Sequence, residues 1–104
     1  DSDPEVFQLE IDTYWIQAGG GDSADWLRKA AGRADLPHVK DMAMKGREQL
    51  FAEVGEGNLN WPAILAAAVE AGTKWYIVEQ DTCQRDPFDS LAISLQNMQA
   101  MGLK

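Results

Sequence analysis

A chain of 104 residues, 45% of them hydrophobic, suffices for one compact unit and is too short for two. Its formal charge of -8 argues against a hold on a phosphate backbone, so the expected partner is a neutral polar molecule or a cation and not nucleic acid. A lone cysteine, Cys83, cannot close an internal disulfide, and no apolar run reaches the roughly 18 residues of a membrane span, so a reducing cytoplasm is the expected location, with no membrane partner.

The opening DSDPEV carries neither an initiating methionine nor an apolar signal core, and the chain is read as following something upstream. Val6 to Ile11 alternates, with Phe7, Leu9 and Ile11 on one face and Gln8, Glu10 and Asp12 on the other, which predicts a first strand. The glycine run in AGGGD lacks the spacing of a phosphate cradle and reads as a flexible loop. Ser23 then caps a helix through Arg28 to Ala31, and Gly32 stands where a left-handed stop is expected.

LPHVKD, at Leu36 to Asp41, predicts a second, short strand followed by a loop of about a dozen residues or more. In NWPAILAAAVEAG, Asn60 caps a helix, Pro62 suits its first turn, Trp61, Ile64, Leu65 and Ala68 form an apolar face, and Gly72 ends it. KWYIVEQ is the third strand. The last helix opens at Asp86 and Pro87 and carries Phe88, Leu91, Leu95 and Met98 at helical spacing.

The resulting order is βαβαβα, an α/β pattern of parallel strands with right-handed crossovers. Three strands are too few for a closed sheet, and the Gln8, Glu10, Asp12 face is too polar to lie under a second helix layer. A barrel interior tolerates such residues because substrate and water reach it. The chain therefore reads as three βα units of a larger (β/α)8 barrel, with residues 1–104 forming a single, incomplete domain.

Asp12, His38 and Glu79 each fall at or near the C-terminal end of a predicted strand, and each can take the inward parity. Two carboxylates and an imidazole are oxygen and nitrogen donors suited to manganese, cobalt, zinc or magnesium. A hydrogen-bonded structural histidine beside loop-capping carboxylates accounts equally for the spacing, and the residues alone leave both readings open. Lys40 and Asp41 share the histidine's strand end, where a lysine can meet a hydroxyl or a developing oxyanion and an aspartate can orient it; a surface ion pair is the alternative. Glu56, between Gly55 and Gly57, sits in a loop above the expected mouth, as a substrate contact or as part of a turn. Trp15, Trp61, Trp75 and Met42 suit a core or a wall better than a cofactor site.

The strings EIDTYW, HVKDM, VGEGNLNWPAIL and WYIVEQD, in that order, resemble the C-terminal part of the sugar phosphate isomerase/epimerase family, the xylose-isomerase-like TIM barrels. The resemblance runs from Asp3 to Gly102. It implies the last three strands of the barrel, with Asp12, His38 and Glu79 as ligands of a divalent metal ion. It also implies a further glutamate ligand on an earlier strand, which this chain does not carry. Some members place a substrate-contacting histidine three residues after the aspartate; Trp15 stands there, as an expected substrate contact of different specificity.

The activity so implied is metal-assisted isomerisation or epimerisation of a sugar or polyol, with Glu79 as the local proton carrier and Lys40 assisting. A dehydratase or lyase acting on an inositol derivative shares the first step. A competing reading is a catalytically incomplete barrel that self-associates as a homo-oligomer or complements the missing units, because open strand edges invite pairing. An abasic-site endonuclease on the same fold is disfavoured by the negative charge and the single histidine.

Overall fold

The computed structural model describes residues 2–103. Its parallel sheet is short. β1 (His38–Val39) pairs with β4 (Ile77–Val78), His38 opposite Ile77 and Val39 opposite Val78, and Asp12 forms a parallel bridge to His38. The order of strand ends expected from sequence holds, but Val6 to Ile11 is not a strand. That segment makes only isolated ladder contacts, His38 N–H to Ile11 O at 2.8 Å and Leu9 N–H to Arg33 O at 2.7 Å, and a strand needs a continuous ladder. The third strand likewise contracts from KWYIVEQ to two residues.

Side-chain parity survives this contraction. Ile11, Val39 and Val78 face the core, while Trp75 and Ile77 lie exposed on the opposite face beside His38 and Glu79.

Three elements, one helix and the two strands of a hairpin, had no counterpart in the sequence reading. α1 (Thr13–Ala18) is a short helix whose first turn is capped by Asp12 Oδ1, which accepts from the Trp15 N–H at 3.1 Å. The expected long loop after the second strand is an antiparallel hairpin, β2 (Asp41–Lys45) with β3 (Glu48–Ala52). Gly46, at φ +62°, opens its two-residue turn, the position where such hairpins favour glycine.

α2 (Ser23–Lys29) is capped by Asp22 and not by Ser23, whose hydroxyl instead donates to Thr13 O at 2.8 Å. α3 (Trp61–Ala71) follows its expected signals: Asn60 caps it, Gly72 closes it at φ +82°, and Trp61, Ile64, Leu65 and Ala68 are buried. Its alanines let it lie close against α2, and Leu27 and Ala67 have no accessible surface.

α4 (Pro87–Ala100) begins at the expected Asp86 cap, but its apolar row points outward. Phe88, Leu91 and Leu95 are exposed, whereas Ser90, Ser94 and Met98 are buried. The seat is polar and specific. The Ser94 hydroxyl accepts from the Val54 N–H at 3.0 Å, Ser90 donates to Glu53 at 2.8 Å, and the Asn97 amide donates to Val54 O at 2.8 Å. Hydrogen-bond pairing of buried backbone therefore decided which face of α4 docks. Among the described residues, no helix is long and apolar enough to cross a membrane.

Candidate metal centre

Asp12, His38 and Glu79 come from the ends of three neighbouring extended segments, of which two are strands, and each offers one ligand atom within 4.8 Å of the other two. Thr13 sets the first of these ends against the second. Its buried hydroxyl accepts from the Lys40 N–H at 2.9 Å and donates to Lys40 O at 2.8 Å, fastening the start of α1 to the end of β1. The Glu79 N–H, reaching Val39 O at 3.4 Å, brings in the third end.

Within the cluster, His38 Nδ1 lies 2.6 Å from Glu79 Oε2 and 3.8 Å from Asp12 Oδ2. The other ring nitrogen, Nε2, lies 3.0 Å from Glu10 Oε1. Lys40 Nζ occupies the centre, at 3.1 Å from Asp12, 3.2 Å from Glu79 and 3.3 Å from Asp81, and 5.5 Å over the ring of Phe51. Only 2% of the Lys40 side chain reaches solvent. Burial pushes the Lys40 ammonium down, but hydrogen bonds and charge from Asp12, with hydrogen bonds from Glu79 and Asp81, outweigh it and hold its pKa above the ordinary lysine value. Lys40 therefore stands charged within a group of carboxylates that outnumber it.

The remaining expected residues lie apart. Asp41 is fully buried beneath the loop from β3 to α3, where Oδ1 accepts from the N–H groups of Met42 and Leu59, and Oδ2 from those of Gly55 and Gly57 and from Trp61 Nε1 at 2.6 Å. Those donors make Asp41 the organiser of the loop, correcting the expectation of a surface or substrate contact. Gly57 must be glycine there, because a Cβ would collide with Met42 O and the Asp41 carboxylate. Glu56 is exposed on the same loop and takes a hydrogen bond from Asn97 at 3.0 Å, apart from the cluster. Trp15 is exposed and lines a cleft of about 390 Å³ with Glu10, Asp12 and Trp26; its ring meets Tyr14 and Phe51 edge-on at 4.8 and 6.0 Å.

Glu10, Asp81 and Phe51 were missed as members of this constellation. Glu10 and Asp81 share parity with Asp12 and Glu79, two residues away along each chain segment, and that periodicity was the available signal. Phe51 had none, because it arrives on the unanticipated hairpin.

Two carboxylates and an imidazole within 4.8 Å of one another are a donor set that could hold a divalent ion, which would take the place of contacts that Asp12 and Glu79 make here to Lys40 and His38.

The chain's fold, a piece of a (β/α) barrel with parallel strands, is shared with proteins of known structure. A sugar phosphate isomerase/epimerase from Parabacteroides distasonis superposes with a TM-score of 0.81 at 28% identity, covering 95% of this chain and 32% of that one. A xylose isomerase domain protein from Planctomyces limnophilus gives 0.70 at 22% identity, covering 90% of this chain and 37% of that one. An L-ribulose 3-epimerase gives 0.64 at 19% identity over 90% of this chain and 35% of its own, and these last two are likenesses of fold alone. The resemblance read from EIDTYW, HVKDM and WYIVEQD is thus one to the sugar phosphate isomerase/epimerase and xylose-isomerase-like structures, and the chain spans about a third of their length. No family model and no curated protein matches the chain.

Proposed function

We propose that the chain forms the metal-binding part of a sugar or polyol isomerase or epimerase that works by removing a proton alpha to a carbonyl. The observation that carries this reading is the convergence of Asp12, His38 and Glu79 within 4.8 Å, in a fold whose neighbours are sugar isomerases and epimerases. Manganese, cobalt, zinc or magnesium held by these residues would supply Lewis-acid polarisation of substrate oxygens.

The chain's own residues account for the rest of the reading. Glu79 is the most open of the three, with 41% of its side chain exposed, and is the carboxylate placed to carry the substrate proton. Lys40 holds Asp12 and Glu79 in register and offers a fixed positive charge to an oxygen that becomes anionic as the proton leaves. Trp15 provides an apolar wall beside Asp12 against which a sugar carbon face can rest. Glu56 remains a candidate contact only for a substrate reaching the loop.

Association is the second part of the proposal, and exposed apolar surface favours it. Trp75 is 66% and Phe88 80% exposed, next to Ile77, Leu91 and Leu95 along the free edge of β4 and the outer row of α4. The remaining units of a barrel fit this surface best and would bring the further glutamate ligand that the resemblance implies; a second copy of the chain is the alternative occupant. The same opening chemistry serves dehydration of an inositol derivative, which differs in its product.

The test combines manganese calorimetry with product analysis. Wild type is expected to bind the ion, His38→Ala and Glu79→Ala to lose it, and Lys40→Ala to retain it. In the associated barrel, Lys40→Ala is expected to lose turnover of a ketose or aldose. Unchanged ion affinity in both His38→Ala and Glu79→Ala would overturn the assignment. Light scattering at micromolar concentration tests association, and a stable monomer would count against it.

A further inference from the structure

We propose that Glu10 is the positioning residue of His38, holding the imidazole so that Nδ1 faces the ion and Nε2 keeps its proton. The inference rests on the metal reading of Asp12, His38 and Glu79 and names a residue that this reading leaves without a role. Glu10 Oε1 lies 3.0 Å from Nε2, on the far side of the ring from Glu79 Oε2 at 2.6 Å and Asp12 Oδ2 at 3.8 Å from Nδ1.

An ionised carboxylate can only accept a hydrogen bond, so the Glu10 contact calls for a proton on Nε2; the Glu79 contact calls for one on Nδ1 in the same way, and an ion at Nδ1 would displace that proton while Glu10 keeps the other in place. A half-turn of the ring would place carbon in front of both Glu10 and Glu79. The Glu10 contact therefore selects the ring orientation as well as the tautomer, the task that outer carboxylates perform for histidine ligands generally. Geometry along the chain makes this economical: Glu10 and Asp12 are two residues apart in an extended segment and project to the same side. A single segment thus supplies one ligand directly and orients another on the neighbouring strand.

Glu10 is not there for stability. Its side chain is 65% exposed, and exposed ion pairs contribute little to folding. Metal affinity and fold stability should consequently separate.

Manganese calorimetry on the full chain tests the proposal with wild type, Glu10→Ala and Glu10→Gln, alongside urea unfolding of each. Glu10→Ala is expected to bind manganese about 10- to 100-fold more weakly with unchanged unfolding. Glu10→Gln, whose amide oxygen still accepts from Nε2–H, is expected to recover most of the affinity. With cobalt bound, the exchangeable Nε2–H proton should give a shifted NMR signal in wild type that is lost to faster solvent exchange in Glu10→Ala. Wild type binding with equal affinity in Glu10→Ala would overturn this role while leaving the metal reading intact. Glu10→Gln as weak as Glu10→Ala would also overturn it, by showing that charge or direct ligation is at work. Absence of manganese binding by wild type would overturn the metal reading and this inference together.

Discussion

Asp41 opens β2 and Asp12 caps α1, and their surroundings are opposite in kind. Around Asp41, backbone N–H groups from four residues and the indole of Trp61 converge on one carboxylate, so a buried negative charge is fully met by protein donors. Around Asp12, one oxygen caps α1 through the Trp15 N–H, while the other shares its neighbourhood with Glu79, with Glu10 through His38 and with Asp81 through Lys40, so acceptors crowd a single ammonium and one imidazole. A carboxylate saturated with donors builds structure, whereas carboxylates that face one another call for a cation, a place that the Lys40 ammonium takes here. The contrast separates a scaffold from a site more sharply than residue type does.

The largest expected effect tests the scaffold side. Asp41→Ala should destabilise the chain by about 3–5 kcal/mol, since it orphans several buried donors at once; urea unfolding measures it, and a loss under about 1 kcal/mol would break the contrast. Next comes Gly57→Ala, where the added methyl meets Met42 O and the Asp41 carboxylate, and the loop must shift at a cost of roughly 2–3 kcal/mol. Manganese affinity should hold in this variant if loop and cluster are separate units.

Lys40→Met addresses the acceptor-rich side. Removing the buried Lys40 ammonium should cost about 2 kcal/mol, less than a fully buried pair because Glu79 and Asp81 partly reach water. Added manganese should then raise the melting temperature more in this variant than in wild type, because an ion replaces the missing charge. A smaller rise than in wild type would argue that Lys40 supports the ion. At the bottom of the scale, Glu56→Ala should change stability by no more than about 0.5 kcal/mol, as an exposed residue with one surface hydrogen bond. A change in KM from that variant would return Glu56 to the substrate contacts.

Much of the cluster was legible because strand parity is a local property. Asp12, His38 and Glu79 could be aligned from alternation alone, and Glu10 and Asp81 obeyed the same rule without being recognised. The caps at Asn60, Gly72 and Asp86 were legible for a similar reason, since each acts within one turn of its own helix. The Asp41 loop was not. Its donors come from Met42, Gly55, Gly57, Leu59 and Trp61, and nothing in the residue types says that a segment nearly twenty residues long folds back over a single carboxylate.

By itself, the sequence determined the alternation of helices with short extended segments, the helix caps, and the parity that puts acidic and imidazole side chains on one face, because all of these depend on neighbours a few residues away. Only the tertiary structure decided that Val6 to Ile11 makes isolated backbone contacts instead of a strand, that a hairpin carries Phe51 over Lys40, that α4 docks by its serines, and that Asp41 is spent on the loop. Each of those outcomes turns on which distant backbone donors and acceptors find one another, and buried hydrogen-bonding groups must be paired across the fold wherever in the chain their partners lie.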